Sequence, residues 1–165
     1  PASVSAVASA IANGTFIILA SVWAKYVFIM ALAFISCESQ ERVAVEFNQL
    51  PAEAQSFVKT HFSDKTISII FHDKDLFDKD YEVMFEDTSN VDFNKKGEWT
   101  EIEVKSEPGV PAAAIPSAIV NYVTAKHPTS FIIKISKDRR DYEVELRNGI
   151  EIVFDRNGNL IGYED

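Results

Sequence analysis

The sequence is poor in the residues from which catalytic and metal sites are usually built. Cys37 is its only cysteine, so no intrachain disulfide can form. His61, His72 and His127 are far apart in sequence and have no cysteine nearby, which does not match a zinc-binding pattern. The chain has neither a nucleophile elbow nor a glycine-rich phosphate loop. These absences argue against an enzyme and against a bound cofactor, and they leave the fold dependent on its apolar core.

Positive charge is also scarce. The chain has 16 Lys and Arg residues against 25 Asp and Glu residues, which gives a net charge of −9. Binding to nucleic acid is disfavoured, because its affinity comes mainly from basic side chains that neutralise phosphates. A partner attracted by charge is instead expected to have a basic surface.

The N-terminal region almost lacks charge, since Lys25 is the only charged residue before Cys37. We interpret residues 1–24 as an apolar extension of unexplained origin and residues 25–37 as a signal-peptide-like segment, with a basic start and an apolar run. Export to the periplasm or the outer membrane is therefore expected, and Cys37 is a candidate lipidation site. The alternative is one membrane helix over residues 16–36, which would bury Lys25 at a cost of roughly 2.5–3.5 kcal/mol. Membrane contact is expected only through this N-terminal segment.

The rest of the chain contains an internal repeat. Asp80–Val83 and Asp141–Val144 are the same tetrapeptide, 61 positions apart. At the same offset, the residues Val91, Phe93, Gly97 and Trp99 correspond to Ile152, Phe154, Gly158 and Leu160. Upstream, Leu50 and Pro51 correspond to Ile115 and Pro116 at an offset of 65. A repeat of this length predicts two copies of one supersecondary unit.

Each copy is predicted to be one helix followed by four antiparallel strands. Helices are expected after Pro51 and near Pro116, because the apolar residues that follow have helical spacing. Alternating apolar residues then predict strands, each with one buried face. The expected inward sets are Ile67/Ile69/Phe71, Tyr81/Val83/Phe85, Val91/Phe93, Thr100/Ile102/Val104, Phe131/Ile133/Ile135, Tyr142/Val144/Leu146, Ile150/Ile152/Phe154 and Ile161/Tyr163. The hairpin signals are Lys95–Gly97, Asn148–Gly149 and Asn157–Gly158.

The predicted domain boundaries follow from these elements. The first unit covers residues 45–105 and the second covers residues 112–165. Residues 38–44 and 106–111 are expected to be linkers, the second because of its proline and glycine content.

The outward face of the predicted sheet is the candidate binding surface. Strand parity places six residues there, namely Trp99, Met84, Glu82, Glu101, Glu143 and Glu145. Tryptophan is common at interface hot spots, so Trp99 could anchor a protein partner on an acidic surface. The alternative is that Trp99 lies beside its hairpin and covers a neighbouring strand.

Two acidic stretches were considered as cation sites. Asp73, Asp75, Asp78 and Asp80 could hold a cation, although the interleaved lysines favour a solvated loop. The Asp155–Asn159 stretch lacks the glycine that a calcium loop has at its sixth position, where this chain has Leu160. A hairpin turn is the better interpretation of that stretch.

Several motifs, in matching order, resemble those of one family. They are Leu50-Pro51-Ala52-x-Ala54-Gln55-x-Phe57, Asp80–Val83, Phe93-Asn94-x-x-Gly97-Glu98-Trp99, Arg139–Val144 and Phe154-Asp155-x-Asn157-Gly158. The stretch from Val45 to Asp165 resembles the PepSY-like, beta-lactamase-inhibitor-like exported proteins of Bacteroidetes. The resemblance implies an α+β fold in which two tandem helix-plus-four-strand repeats form a curved antiparallel sheet with helices on one side. It also implies an export signal before Glu38.

The functional implication of the resemblance is narrower. PepSY domains are associated with modulating peptidases outside the cytoplasm, and the inhibitor fold binds an enzyme through its concave sheet. No catalytic residue and no inhibitory loop motif can be carried over to this chain. We therefore expect an exported, non-enzymatic binding protein that engages a protein or peptide through its sheet face. The alternative is a carrier of a small ligand or cation in the periplasm, and fold likeness alone does not decide between them.

Overall fold

The described part of the chain is one antiparallel sheet with two helices. The computed structural model describes residues 42–73 and 80–164. The nine strands are β1 (Arg42–Ala44), β2 (Ile67–Asp73), β3 (Tyr81–Phe85), β4 (Asn90–Phe93), β5 (Trp99–Glu103), β6 (Ile132–Lys137), β7 (Asp141–Leu146), β8 (Glu151–Asp155) and β9 (Leu160–Glu164), and they lie in the sheet in chain order. The two α-helices are α1 (Ala52–His61) and α2 (Ser117–Lys126), and Phe47–Gln49 and Ala112–Ala114 form short 3-10 turns.

Both helices were expected from the sequence, and both begin directly after a proline. Pro51 and Pro116 occupy the N-cap positions, where a missing N–H costs no intrahelical bond. Each helix buries one stripe, which contains Ala54 and Val58 in α1 and Ile119 and Val123 in α2. The two helices contact the sheet in the same way. The Phe57 ring packs edge-on against Phe93 at 5.8 Å, and the Tyr122 ring packs edge-on against Phe154 at 5.3 Å. Both helices therefore cover the same face of the sheet.

The strand pairing of the two halves corresponds throughout. In β2 and β3, Ile70 lies opposite Val83, and His72 lies opposite Tyr81. In β6 and β7, Ile135 lies opposite Val144, and Lys137 lies opposite Tyr142. Tyr81 and Tyr142 each have a phenylalanine as the next cross-strand neighbour, Phe93 and Phe154 respectively. All four of these aromatic residues are on the helix side of the sheet, as expected.

Four β-bulges change which residues point inward. Each bulge inserts one residue into a strand, and the inserted residues are Ser68, Thr100, Ile133 and Ile161. Because successive side chains alternate between faces, one extra residue reverses the face of every residue beyond it. The predicted inward sets for β2, β5, β6 and β9 are therefore partly wrong.

Residues in all four bulged strands lie differently from the prediction. In β2 the core residue is Ile70, which is 4% exposed, whereas Ile69 and Phe71 lie on the face opposite the helices. In β6 the core residues are Ile132 and Ile135 rather than the predicted set around Ile133. Thr100 and Ile161 are bulge residues, and Ile161 is 60% exposed.

The segment before the first 3-10 turn also differs from the expectation. Residues 42–44 were predicted to lie in a linker, but they form β1, which pairs with β2. The polar composition fits this outcome, since exposed charged residues are common on short edge strands. The predicted signal segment and Cys37 lie outside the described residues. Within the described ranges, no helix has the length and apolarity needed to span a membrane.

Two predicted hairpin glycines connect the turns to the helices. Gly97 and Gly158 have φ angles of 87° and 81°, which L-residues with side chains rarely adopt. A Cβ on Gly97 would lie 2.8 Å from the backbone nitrogen of Ala54, and one on Gly158 would lie 2.7 Å from the Cβ of Ala118. The β4–β5 and β8–β9 turns therefore pack against the first turns of α1 and α2.

Candidate functional site: the acidic sheet face

The sheet face opposite the helices has an unusual number of carboxylates. We call it the acidic face, and its centre consists of two rows of side chains that run across the strands. The first row is Phe71, Glu82, Asp92, Glu101, Ser136, Glu143, Val153 and Gly162. The second row is Ile69, Met84, Asn90, Glu103, Lys134, Glu145, Glu151 and Glu164.

Carboxylates lie directly opposite each other in both rows. In the first row, Asp92 has Glu82 on one side and Glu101 on the other. In the second row, Glu151 lies between Glu145 and Glu164. Like charges in directly opposed positions destabilise a sheet. The arrangement therefore reduces the stability of the free protein, which is a common property of binding and catalytic sites.

One cation lies in the middle of the face. Lys134 is opposite both Glu103 and Glu145 in the ladder, and its Nζ is 3.2 Å from Glu101 Oε1. It reduces the repulsion locally, but it cannot neutralise the carboxylates at either end of the rows.

Four carboxylates at the β2–β4 end of the face, two of them already named in the first row, are buried. Asp73, Asp80, Glu82 and Asp92 are between 2% and 9% exposed. Arg42 of β1 bridges two of them, because its Nε lies 3.3 Å from Asp73 Oδ2 and its Nη2 bonds Glu82 Oε2. The Arg42 guanidinium also lies over the Phe71 ring at 4.5 Å. The edge strand β1 thus supplies the main positive charge to this buried cluster.

Asp73 Oδ1 and Asp80 Oδ1 are buried and accept no hydrogen bond from the described residues. The exposed Lys95 is close to one of them, because its Nζ is 3.5 Å from Asp80 Oδ1. Most buried polar atoms in proteins are hydrogen-bonded, so an unsatisfied carboxylate oxygen needs an explanation. Asp75 and Asp78 of the same acidic stretch lie outside the described residues.

The other half of the face contains a shallow depression of about 120 Å³. Six of its lining residues are polar, namely Lys134, Ser136, Glu143, Glu145, Glu151 and Glu164. The volume is well below the roughly 300–1,000 Å³ of sites for drug-sized molecules. It could accept one side chain of a partner rather than a whole cofactor.

Five of the six residues predicted for the binding surface lie on this face. Met84, Glu82, Glu101, Glu143 and Glu145 are placed there by the strand pairing. Sequence reasoning missed several other members, among them Asp73, Asp92, Glu151 and Glu164. Asp92 could have been found from the alternation with Val91 and Phe93, which are inward residues.

The predicted outward position of Trp99 is wrong. The bulge at Thr100 turns Trp99 to the helix side, where it lies opposite Phe93 and is only 9% exposed. Its ring centroid is 6.3 Å from that of Tyr142. Trp99 therefore belongs to the hydrophobic core and covers a neighbouring strand, which was the alternative interpretation.

The histidines have ordinary packing roles. His61 packs on Phe57 at 4.6 Å, and His72 stacks on Tyr81 at 4.5 Å. His127 lies 3.3 Å from the hydroxyl of Tyr163. Among residues 42–73 and 80–164, no group of three or more histidines or carboxylates has the arrangement of a metal site. Asp155 accepts the backbone N–H groups of Asn157 and Asn159, which is the predicted hairpin turn.

A family model described as "putative beta-lactamase-inhibitor-like, PepSY-like" matches residues 79–162. The chain belongs to the PepSY-like family. The description names no enzymatic activity. No curated protein matches the chain.

Crystal structures of similar proteins come from Bacteroides. A "putative calcium-regulated periplasmic protein" from Bacteroides thetaiotaomicron is 40% identical, with a TM-score of 0.72 over 76% of this chain and 98% of that chain. A "putative periplasmic protein" from Bacteroides vulgatus is 41% identical, with a TM-score of 0.71 over 77% of this chain and 99% of that chain. A "putative periplasmic protein of unknown function" from the same species is 36% identical, with a TM-score of 0.68 over 75% of this chain and 99% of that chain.

Proposed function

We propose that this PepSY-like protein is an exported, non-enzymatic binding protein that holds a basic protein or peptide segment on its acidic face. The observation that carries the proposal is the like-charge pairing of Glu145, Glu151 and Glu164 across three adjacent strands, where Glu151 and Glu164 are exposed. A ligand with lysine or arginine side chains would relieve this repulsion between carboxylates. The relief would contribute to the free energy of binding. The helix side cannot serve in the same way, because it is occupied by the core.

The depression at Glu143, Glu145 and Glu151 supports a side-chain-sized contact. The apolar members of the face, Ile69, Phe71 and Met84, are clustered on β2 and β3 and are partly exposed. A partner that combines basic residues with an apolar residue would match both regions. We also propose that the two halves are tandem copies of one unit, so that the second copy extends this surface to β9.

Fluorescence anisotropy tests the proposal with two labelled peptides of equal length, one of alternating lysine and threonine and one of alternating glutamate and threonine. We expect the basic peptide to bind and the acidic peptide not to bind. The Glu143→Gln/Glu145→Gln variant should weaken binding about tenfold. The charge-matched control is Glu53→Gln/Glu107→Gln, which removes two exposed carboxylates that are not on the acidic face.

Two results would contradict the proposal. One is equal loss of affinity in both double variants, which would show that only net charge matters. The other is absence of binding to the basic peptide at low ionic strength, where screening is weakest. A pull-down from an envelope fraction with the wild-type and Glu143→Gln/Glu145→Gln proteins would then identify the natural partner.

A second candidate function is cation binding. The buried Oδ1 atoms of Asp73 and Asp80 favour it, and so does the description of the B. thetaiotaomicron relative as calcium-regulated. Calcium prefers several convergent oxygen ligands, whereas the described carboxylates do not form such a group by themselves. Calcium should raise the melting temperature of the wild-type protein more than magnesium does, and Asp80→Asn should abolish the difference. Equal effects of both ions would exclude a specific site.

Export is the third part of the proposal. It rests on the apolar segment before Cys37 and on periplasmic relatives. In a Gram-negative host, we expect a mature form that begins at or shortly after Cys37. Incorporation of a fatty-acid probe that is lost in Cys37→Ser would establish lipidation, whereas an intact N-terminus in purified envelope protein would favour a membrane anchor.

A further inference from the structure

Two cations lie on neighbouring aromatic rings, on the opposite side of the sheet from the acidic face. The Nζ of Lys137 is 4.0 Å from the centre of the Trp99 ring. The guanidinium of Arg156 is 4.7 Å from the centre of the Tyr142 ring. The two rings are themselves 6.3 Å apart and tilted by 36°. They form a continuous aromatic platform at the junction of the two halves of the sheet.

Among the described residues, no carboxylate oxygen lies within 4.0 Å of the Lys137 ammonium or the Arg156 guanidinium. Arg156 donates one hydrogen bond, of 2.9 Å, to the backbone carbonyl of Asp138. A guanidinium has five N–H donors, so most of its donors remain available.

The nearest acidic side chains are engaged elsewhere or are more distant. Glu98 accepts a 2.7 Å hydrogen bond from Asn94, and it attracts Lys137 and Arg156 only over a longer range. Glu53 likewise attracts Lys137 only over a longer range. Asp138 and Asp155 accept backbone N–H groups within their own turns. In a chain with net charge −9, two adjacent cations without a close carboxylate are unexpected.

The positive charge of Lys137 is unfavourable for folding in this position. Burial, followed by repulsion from Arg156, lowers the pKa of its ammonium group. Attraction between the ammonium and the Trp99 ring offsets part of this cost, and the aliphatic stem covers the ring as a methionine side chain would. A positive charge that opposes folding, held beside a second one, would be stabilised by a bound anion.

The surroundings of this pair are also positive. The β4–β5 and β8–β9 turns pack on the first turns of α1 and α2 through Gly97 and Gly158, so both helix N-termini lie at this end of the sheet. Helix N-termini carry partial positive charge. Lys96, Arg139 and Arg140 are exposed in turns at the same end.

We propose that Lys137 and Arg156 form a binding site for an oxyanion, a carboxylate or a phosphate group, above the Trp99–Tyr142 platform. Arg156 would bind the anion through its remaining N–H donors, and the Lys137 ammonium would contribute a second charge-assisted hydrogen bond. The site is on the helix side, so it is independent of the peptide binding proposed for the acidic face.

Trp99 provides a direct optical measurement. The chain has two tryptophans, so Trp23→Phe leaves Trp99 as the single emitter. Sodium phosphate and sodium acetate are titrated separately at constant ionic strength, with chloride as the replaced ion. We expect a saturable change in Trp99 emission with at least one of the two probes. Saturation with phosphate alone assigns a phosphate site, and saturation with acetate assigns a carboxylate site.

Variants separate this site from general charge effects. Because changes at Lys137 alter Trp99 emission directly, affinity in the variants is measured by calorimetry. Lys137→Met and Arg156→Gln should each weaken binding of the saturating probe at least tenfold, and Lys137→Arg should retain it. Lys59→Met is the matched control, because it removes a lysine that lies over a different ring, that of Phe47, and it should bind like wild type. The proposal is overturned if neither probe saturates, or if Lys59→Met loses as much affinity as Lys137→Met.

Discussion

The position of Trp99 gives the sharpest test of the strand pairing. If the bulge at Thr100 turns this residue toward the helices, Trp99→Ala removes a side chain that is 9% exposed and contacts Tyr142. Replacing a buried aromatic residue by alanine costs about 3–5 kcal/mol. We expect a value near the lower end, about 3 kcal/mol, because one face of the ring is covered by the Lys137 side chain rather than by the core.

Chemical denaturation of Trp99→Ala and Phe93→Ala provides the comparison. Phe93 is completely buried and lies opposite Trp99, so its removal should cost about 4–5 kcal/mol. The two losses should be non-additive in the double variant, since the residues are in contact across the ladder. At about 4 °C per kcal/mol, Trp99→Ala should lower the melting temperature by about 12 °C.

The opposite result would refute the pairing. A loss below about 0.5 kcal/mol is typical of surface substitutions. It would mean that Trp99 points away from the helices, that β5 has no bulge at Thr100, and that the tryptophan belongs to the acidic face. Normal stability combined with lost peptide affinity in Trp99→Ala would restore the original hotspot hypothesis.

Three further predictions use matched positions or a defined pH range. Gly158→Ala should lower the free energy of unfolding in urea more than Gly149→Ala does. Both glycines have a φ of 81°, but only a Cβ at position 158 would clash with Ala118. Equal losses would mean that the β8–β9 turn does not pack against α2. Because the pKa of Lys137 is lowered in the folded state, the unfolded state binds more protons than the folded state just below pH 10. The free energy of unfolding should therefore rise with pH in that range, and Lys137→Met should reduce the rise. Hydrogen bonds from Asn159 lower the pKa of Asp155, so its stabilisation should be present above about pH 4 and lost as the pH falls further, and an acid titration of Asp155→Asn should lack that loss.

The presence of the helices, the hairpins and most strands could be predicted from the sequence, because each depends on local signals. Proline followed by helical spacing marks α1 and α2, and the turn glycines Gly97, Gly149 and Gly158 have the positive φ angles that their hairpins require. The family resemblance was also predicted from these motifs, and the family match confirms it.

Facing was predicted correctly along a whole strand only where that strand has no bulge. For β3, β4, β7 and β8, simple alternation gave the right buried residues, such as Val83 and Ile152. In β2, β5, β6 and β9, one inserted residue reverses the face on which the residues beyond it lie. Neither Ser68 nor Ile133 is a residue type that indicates a bulge. A bulge is selected by how both neighbouring strands and the helix above them pack, which is information that a single strand does not contain.

The bulge at Thr100 explains why the two sides of the sheet differ in charge and in aromatic content. The bulge at Thr100 removes an aromatic residue from the acidic face, which leaves carboxylates at adjacent positions there. The same bulge delivers Trp99 to the helix side, where it becomes the platform under Lys137. A single inserted residue therefore separates a negatively charged surface from a site with two neighbouring cations. Deleting Thr100 should preserve this separation, since Trp99 would then directly precede Glu101 and strict alternation would keep Trp99 opposite Phe93 on the helix side. For this reason, we expect the deletion to leave the Trp99 ring under the Lys137 ammonium and to retain anion binding.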